Sequence, residues 1–262
     1  MSASGATTTE LPVLVEQVDG VQVVTLNRPE VRNAVNTATA EAIAAAMVEL
    51  DERDDLLAGV ITGTGSTFCA GMDLKAFLQG ERPSVPGRGF AGLAERPPVK
   101  PLIAAVEGHA IAGGFEIVLA CDLVVAAENA VFGLPEVKRG LLAGGGGLLR
   151  LPHRIPYQIA MEWILTGDMY PATAAHGYGL VNRLTASGEA LAVALDLARA
   201  IARNGPLAVR ASKEIVTASR DWSTAERFAR QQEIYEPVRS SDDASEGASA
   251  FKEKRSPVWR GR

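Results

Sequence analysis

Glu116 and Glu136 are the residues of this chain best suited to do chemistry. The first closes Ala112-Gly113-Gly114-Phe115-Glu116 and the second closes Phe132-Gly133-Leu134-Pro135-Glu136, twenty positions later. Each stands beside a Gly- or Pro-marked turn in an otherwise apolar stretch, which is not how a solvated charged face reads. Two carboxyl groups framed by apolar residues suggest one site, in which one group holds a proton while the other stays ionised. That pairing is what is needed to add water across a double bond or to take it away.

The residues around them carry a second kind of chemistry. In Phe68-Cys69-Ala70-Gly71-Met72-Asp73-Leu74-Lys75, small residues let the backbone turn tightly and bring an amide close to a ligand. Gly108 to Glu116 reads as a strand that ends in glycines and opens a helix. A helix N-terminus offers unpaired N–H groups and the positive end of the dipole, which favour an oxyanion. Each segment alone reads as an ordinary strand-to-helix turn. Both together, followed by Phe132 to Glu136, form a specific combination.

These motifs need elements to hold them. Leu11 to Val18 and Val21 to Asn27 are β-branched runs joined by Asp19-Gly20, a type I′ hairpin signal. Thr37 to Arg53 reads as an Ala-rich amphipathic helix and Leu57 to Thr62 as a short buried strand. A helical piece follows over Asp73 to Gln79, then strand Pro101 to Val106, helix Gly113 to Cys121 and strand Asp122 to Ala126. This alternation predicts an α/β core with crossover connections. The Gly-, Pro- and charge-rich stretch Gly80 to Pro98 reads as a mobile loop with one helical turn near Phe90 to Glu95. Beyond Gly144 the pattern is almost wholly helical: Gly146 to Leu151, Tyr157 to Thr166, Ala172 to Gly177, Glu189 to Asn204, Pro206 to Arg220, Trp222 to Arg239 and Ser241 to Lys254. A division follows into a core, residues 1–200, and an appended helical region, residues 201–262.

Composition narrows the classes. The chain has 262 residues, 47% of them apolar but only 5% aromatic, so its core is built from aliphatic side chains. A formal net charge of −5 does not advertise nucleic-acid or anionic-membrane binding. No apolar run reaches transmembrane length, and Met1 to Thr9 has neither a basic nor an apolar leader region. Cys69 and Cys121 sit in apolar motifs and read as buried free thiols of a reducing, cytoplasmic compartment. His109, His153 and His176 have no metal-ligand spacing, and Gly144 to Gly147 lacks the Lys-Ser/Thr of a nucleotide loop. No metal or separate cofactor is expected.

Over nearly its full length the chain resembles the enoyl-CoA hydratase/isomerase (crotonase) superfamily. The resemblance rests on Asn27-Arg28-Pro29 with Asn33-Ala34, the Cys69 to Lys75 segment, Lys100 to Gly108, Gly113-Gly114-Phe115-Glu116, Cys121-Asp122, Phe132 to Glu136, Leu165-Thr166-Gly167, Gly179-Leu180-Val181 and Ala250 to Arg255. It implies a crotonase-type β-β-α superhelix with a C-terminal helical trimerisation region, and a homotrimer or a hexamer made of two trimers. It implies an acyl-CoA thioester substrate whose enolate is held by the backbone amides of Met72 and Gly113, with Glu116 acting on water and Glu136 on the α-carbon proton. CoA contacts carried over by motif are Arg32, Ala34, Ala70, Asp73, Leu74 and Lys75, with Phe251 and Lys254 reaching the adenine end from a neighbouring subunit. Having both glutamates favours hydration; an isomerase using Glu136 alone is the alternative. The Gly80 to Pro98 loop is expected to cover the acyl chain. Within the family the chain looks most like the carnitinyl-CoA dehydratase branch, through Leu134-Pro135-Glu136, Leu148 to Pro152, Gly89 to Leu93 and the Lys254 to Arg262 end. A quaternary ammonium would want an aromatic partner, for which Trp163, Phe77 and Phe90 are candidates. Some relatives bind RNA through a Lys-rich helix, but Thr37 to Arg53 carries four acidic residues and no lysine.

Overall fold

The computed structural model describes residues 11–262, so the leader reading of Met1 to Thr9 lies outside the described residues. The strands are β1 (Val13–Val18), β2 (Val21–Leu26), β3 (Ala58–Gly63), β4 (Ser84–Val85), β5 (Gly89–Phe90), β6 (Leu102–Val106), β7 (His109–Ile111), β8 (Leu123–Ala127), β9 (Val131–Gly133), β10 (Tyr170–Pro171) and β11 (Arg183–Thr185). The helices are α1 (Thr37–Glu52), α2 (Leu74–Leu78), α3 (Gly113–Ala120), α4 (Gly147–Arg150), α5 (Tyr157–Thr166), α6 (Ala172–Gly177), α7 (Ala190–Ala202), α8 (Pro206–Ala218), α9 (Arg227–Arg239) and α10 (Asp242–Glu253).

Six strands form the main sheet in the order β1-β2-β3-β6-β8-β11, parallel except for the β1–β2 hairpin. Asp19 and Gly20 both have positive φ (52° and 76°), as the type I′ turn between these strands requires. The inner strands alternate between two buried faces: Val60 and Ile103 belong to one apolar cluster, Ile61 and Ala104 to the other. The first face is covered by α7, whose Ala190, Ala194 and Ala198 recur every four residues and let the helix approach the sheet closely. The other face carries α1, α3 and the larger core.

A second sheet, order β10-β9-β7, stands beside the first. Its strands are two or three residues long, too short for an alternating pattern to mark them in the sequence. The reading of an almost wholly helical second half is corrected by β10 and β11. The reading of Trp222 to Arg239 as one helix is corrected too, because α9 begins at Arg227. Gly80 to Pro98 is more ordered than a mobile loop: β4 and β5 pair as a small hairpin, and Ala91, Leu93 and Ala94 are buried in the core behind it. The single turn expected near Phe90 to Glu95 is present, closed by Ala94 N–H donating to the Phe90 carbonyl.

Candidate active site

The spacing of the two glutamates has its origin in the second sheet. β7 and β9 pair in parallel, Ile111 opposite Gly133. Glu116 lies five residues beyond Ile111, in the first turn of α3, and Glu136 lies three beyond Gly133, in a short 3₁₀ helix over Pro135–Arg139. Parallel strands in register send both following segments out of the same end of the sheet, so both carboxyls emerge there. A further bond, Ala112 N–H to the Gly133 carbonyl at 2.9 Å, ties the two exits together.

Ala112, the residue before α3, has φ 52° and ψ −130°. A non-glycine residue pays strain there, and such strain collects where the surroundings force a particular backbone direction. Here it turns the chain so that α3 begins at Gly113. The Cys69 to Met72 segment is laid alongside: Cys69 N–H donates to the His109 carbonyl and Ile111 N–H to the Cys69 carbonyl. Small residues make the approach feasible. A Cβ on Gly114 would lie 2.1 Å from the Cys69 carbonyl oxygen, and one on Gly71 3.0 Å from the Gly113 nitrogen. Met72 is held from behind, as Val35 N–H donates to the Gly71 carbonyl and Asp73 N–H to the Val35 carbonyl. Among the described residues, neither Met72 N–H nor Gly113 N–H has a hydrogen-bond acceptor.

The two carboxyls have different surroundings. Glu116 is buried, and its Oε1 accepts the Gly147 N–H at 2.9 Å. Burial raises its pKa; the amides of Gly147 and Gly145 and the charge of Arg150 oppose the rise. Gly145 leaves no room for a side chain, since a Cβ there would lie 2.6 Å from Glu116 Oε2. Glu136 is half-buried, and its Oε2 is buried with no hydrogen-bond partner among the described residues. Burial, joined by the charge of Glu116, raises it to about 7 against only its own amide and Arg139. The Phe90 ring, held by the β4–β5 hairpin, lies against Gly113: a Cβ on that glycine would meet Phe90 Cζ at 2.4 Å.

Residues 16–262 match the Enoyl-CoA hydratase/isomerase family.

The chain belongs to that family. It is 58% identical to an enoyl-CoA hydratase from Mycobacterium tuberculosis H37Rv, whose crystal structure superposes with a TM-score of 0.95 over 97% of this chain and all of that one. A carnitinyl-CoA hydratase from Mycobacterium avium is 42% identical, with a TM-score of 0.78 over 97% of this chain and all of that one. A carnitinyl-CoA dehydratase from Salmonella typhi is 43% identical over 248 residues, 91% of this chain and 94% of that protein. The fold is therefore the crotonase α/β fold with C-terminal helices, and the activity is of the enoyl-CoA hydratase type, a hydro-lyase acting on acyl-CoA.

Within this crotonase site, the residues expected at CoA are distributed unevenly. Arg32 is exposed and in the left-handed region, and its carbonyl accepts the Ala70 N–H, so Arg32 and Ala70 are neighbours. The Ala34 carbonyl accepts from Arg28 at 2.6 Å. Leu74 and Lys75 are exposed on α2. The Asp73 carboxylate is engaged within the chain: it caps α2 through the Lys75 and Ala76 amides and pairs with Arg28 at 3.0 Å. Phe251 and Lys254 lie exposed on and just after α10, whose main packing partner is α9. Of the three aromatic candidates, Trp163 is buried in the core and stacked on Tyr170, and Phe77 carries the Arg82 guanidinium over its ring at 4.4 Å. Only Phe90 lies at the glutamates. Gly145 and Gly147 enclose Glu116, a partnership that no local signal in a glycine run identifies.

Proposed function

We propose that the enzyme adds water reversibly across the 2,3 double bond of an enoyl-CoA thioester. The N–H groups of Met72 and Gly113 take the thioester oxygen, where negative charge grows as the β-carbon is attacked. Loss of one such donor typically costs roughly 2.7–4 kcal/mol of barrier. Glu116, whose carboxylate is supported by its loop amides and Arg150 against the upward push of burial, draws a proton from water as the water adds to the β-carbon. Glu136, whose pKa is raised to about 7, gives a proton to the α-carbon. The observation that carries this reading is the unlike environment of the two carboxyls, which supports one acid and one base in a single site.

An isomerase that uses Glu136 alone would have no need of a second carboxylate held by the Gly147 amide. The carnitine branch has less support from the side chains present. A trimethylammonium group is held by several aromatic faces, and Phe90 stands without Trp163 or Phe77. We therefore favour an uncharged enoyl chain that passes Phe90. The CoA residues named above, the contribution of Phe251 and Lys254 from a neighbouring subunit, and a trimer or hexamer belong to the same reading.

Loss of the conjugated enoyl-thioester absorbance of crotonyl-CoA tests the reaction directly. Hydration of crotonyl-CoA with little turnover of crotonobetainyl-CoA is expected. No absorbance change with any enoyl chain length would overturn the hydratase reading, and preferential turnover of crotonobetainyl-CoA would restore the carnitine one.

A further inference from the structure

Arg150 ends α4 as a half-buried guanidinium with no carboxylate within ion-pair distance among the described residues. Burying a charge in this way is unfavourable unless its donors are used. One Nη donates to the Ala94 carbonyl, in the turn that follows Phe90. The other approaches the Gly145 carbonyl at 3.5 Å, in the loop whose glycines surround Glu116. The guanidinium also passes directly over Gly146, where a Cβ would lie 2.2 Å from Nη1. The two carbonyls belong to segments about fifty residues apart, joined here by one planar, forked group.

We propose that Arg150 is a positioning residue that ties the Phe90 turn to the Glu116 loop, so that the wall beside Gly113 and the water-activating carboxylate keep one mutual arrangement. This rests on the hydratase reading given above. A lysine could supply the charge, but a single ammonium on a flexible stem would not hold both carbonyls in a fixed plane. Charge and bridge are therefore separable by substitution.

The charged and titratable groups facing Arg150 are Glu116, which favours its cationic form, Arg154, which opposes it, and the Cys121 thiol. Those facing Glu116 are Arg150 and the carboxyl of Glu136, besides the amides of Gly145 and Gly147. Arg150 lowers the proton affinity of Glu116, so removing its charge raises that affinity further above the ordinary carboxylate value.

The test compares Arg150→Lys with Arg150→Met. It measures crotonyl-CoA hydration and the titration of Glu116 by carbon-13 NMR of carboxyl-labelled glutamate. Misplacing a reacting group by about 1 Å costs on the order of 10²-fold in rate, and both variants are expected to lose kcat on that scale. The Glu116 titration should move to higher pH in Arg150→Met and stay near its original position in Arg150→Lys. Folded variants with unchanged kcat and an unchanged titration would overturn the proposal. Should Arg150→Met not fold, Arg150→Gln removes the charge and is too short to reach both carbonyls, and the same loss of kcat and the same upward move of the Glu116 titration are expected. If the unaltered protein fails to hydrate any enoyl-CoA, the reaction reading falls, and the Glu116 titration alone still decides whether Arg150 governs that carboxyl.

Discussion

At the scale of the residue, the two carboxyls are alike in sequence and unlike in energy. Both have raised pKa values, mainly from burial, but Glu116 is compensated by amides and a cation, whereas Glu136 is not. Hydration that needs Glu136 protonated should lose kcat/KM as pH rises through about 7, the value to which Glu136 is raised, and a pH–rate profile on crotonyl-CoA checks this. The same shift bears on stability. A carboxyl whose folded pKa lies above its unfolded one supports folding most fully below the unfolded value, near 4.5, and loses that support as pH rises through about 7. Glu136→Gln should therefore stabilise the protein by about 1–2 kcal/mol at pH 8–9, after discounting for partial exposure, and by little below pH 4. Thermal unfolding at several pH values reads this, while hydration in the same variant should fall about 10²- to 10⁴-fold. Both glutamates were legible in the sequence because ionisable groups among glycines and aliphatic residues are rare. Gly145, Gly147 and Arg150 were not legible as their partners, since nothing local to residues 143–150 tells which side chain they enclose.

At the scale of the element, the site depends on close backbone approach between the Cys69 to Met72 segment and the start of α3. Gly114 is the tightest point of that approach, 2.1 Å from a would-be Cβ to the Cys69 carbonyl. Gly114→Ala should push the segments apart, displace the Met72 and Gly113 amides relative to each other, and lower kcat on the order of 10²-fold. Steady-state kinetics beside a circular dichroism spectrum of unchanged shape would show this; retained kcat would mean that the two amides do not act together. The helix α1 was legible from its Ala-rich amphipathic pattern, α3 from the glycines that open it, and the β1–β2 hairpin from Asp19-Gly20. β7 was legible as the strand that runs into the glycines opening α3; β9 and β10 were not, because two- or three-residue strands are specified by their partners and not by their own pattern. Gly80 to Pro98 reads as mobile from its glycines and prolines, whereas Ala91, Leu93 and Ala94 pack its Phe90 turn into the core.

At the scale of the whole molecule, α8 and α9 contain no buried residue, while Val216 and Phe228 on them are strongly exposed. A helical layer of that kind, on a chain expected to be trimeric, should be covered by other copies. Sedimentation equilibrium is expected to give three or six chains, and a monomer at micromolar concentration would contradict this. The end of the chain is fixed by other means. The buried carboxylate of Asp243 accepts the N–H groups of Arg260 and Gly261 at 2.7 and 3.0 Å, and Trp259 Nε1 donates to the Arg203 carbonyl. Asp243→Ala leaves both amides unpaired and should cost about 1–3 kcal/mol, seen as earlier C-terminal cleavage in limited proteolysis. Asp242 and Asp243 both stand in the first turn of α10, where carboxylates complement the helix dipole; Asp243 also holds the tail, and the cap of α10 is Ser241.

The N–H groups of Met72 and Gly113 have one more consequence, for descent. They belong to the main chain, so at position 72 any amino acid except proline supplies the same donor. The glutamates are side chains, and a single codon change removes either one. On the roles proposed above, a lineage built on this frame can lose or exchange its acid and base while inheriting the two amides intact. Chemistry would diverge quickly at 116 and 136, and slowly at the glycines that set the backbone's course.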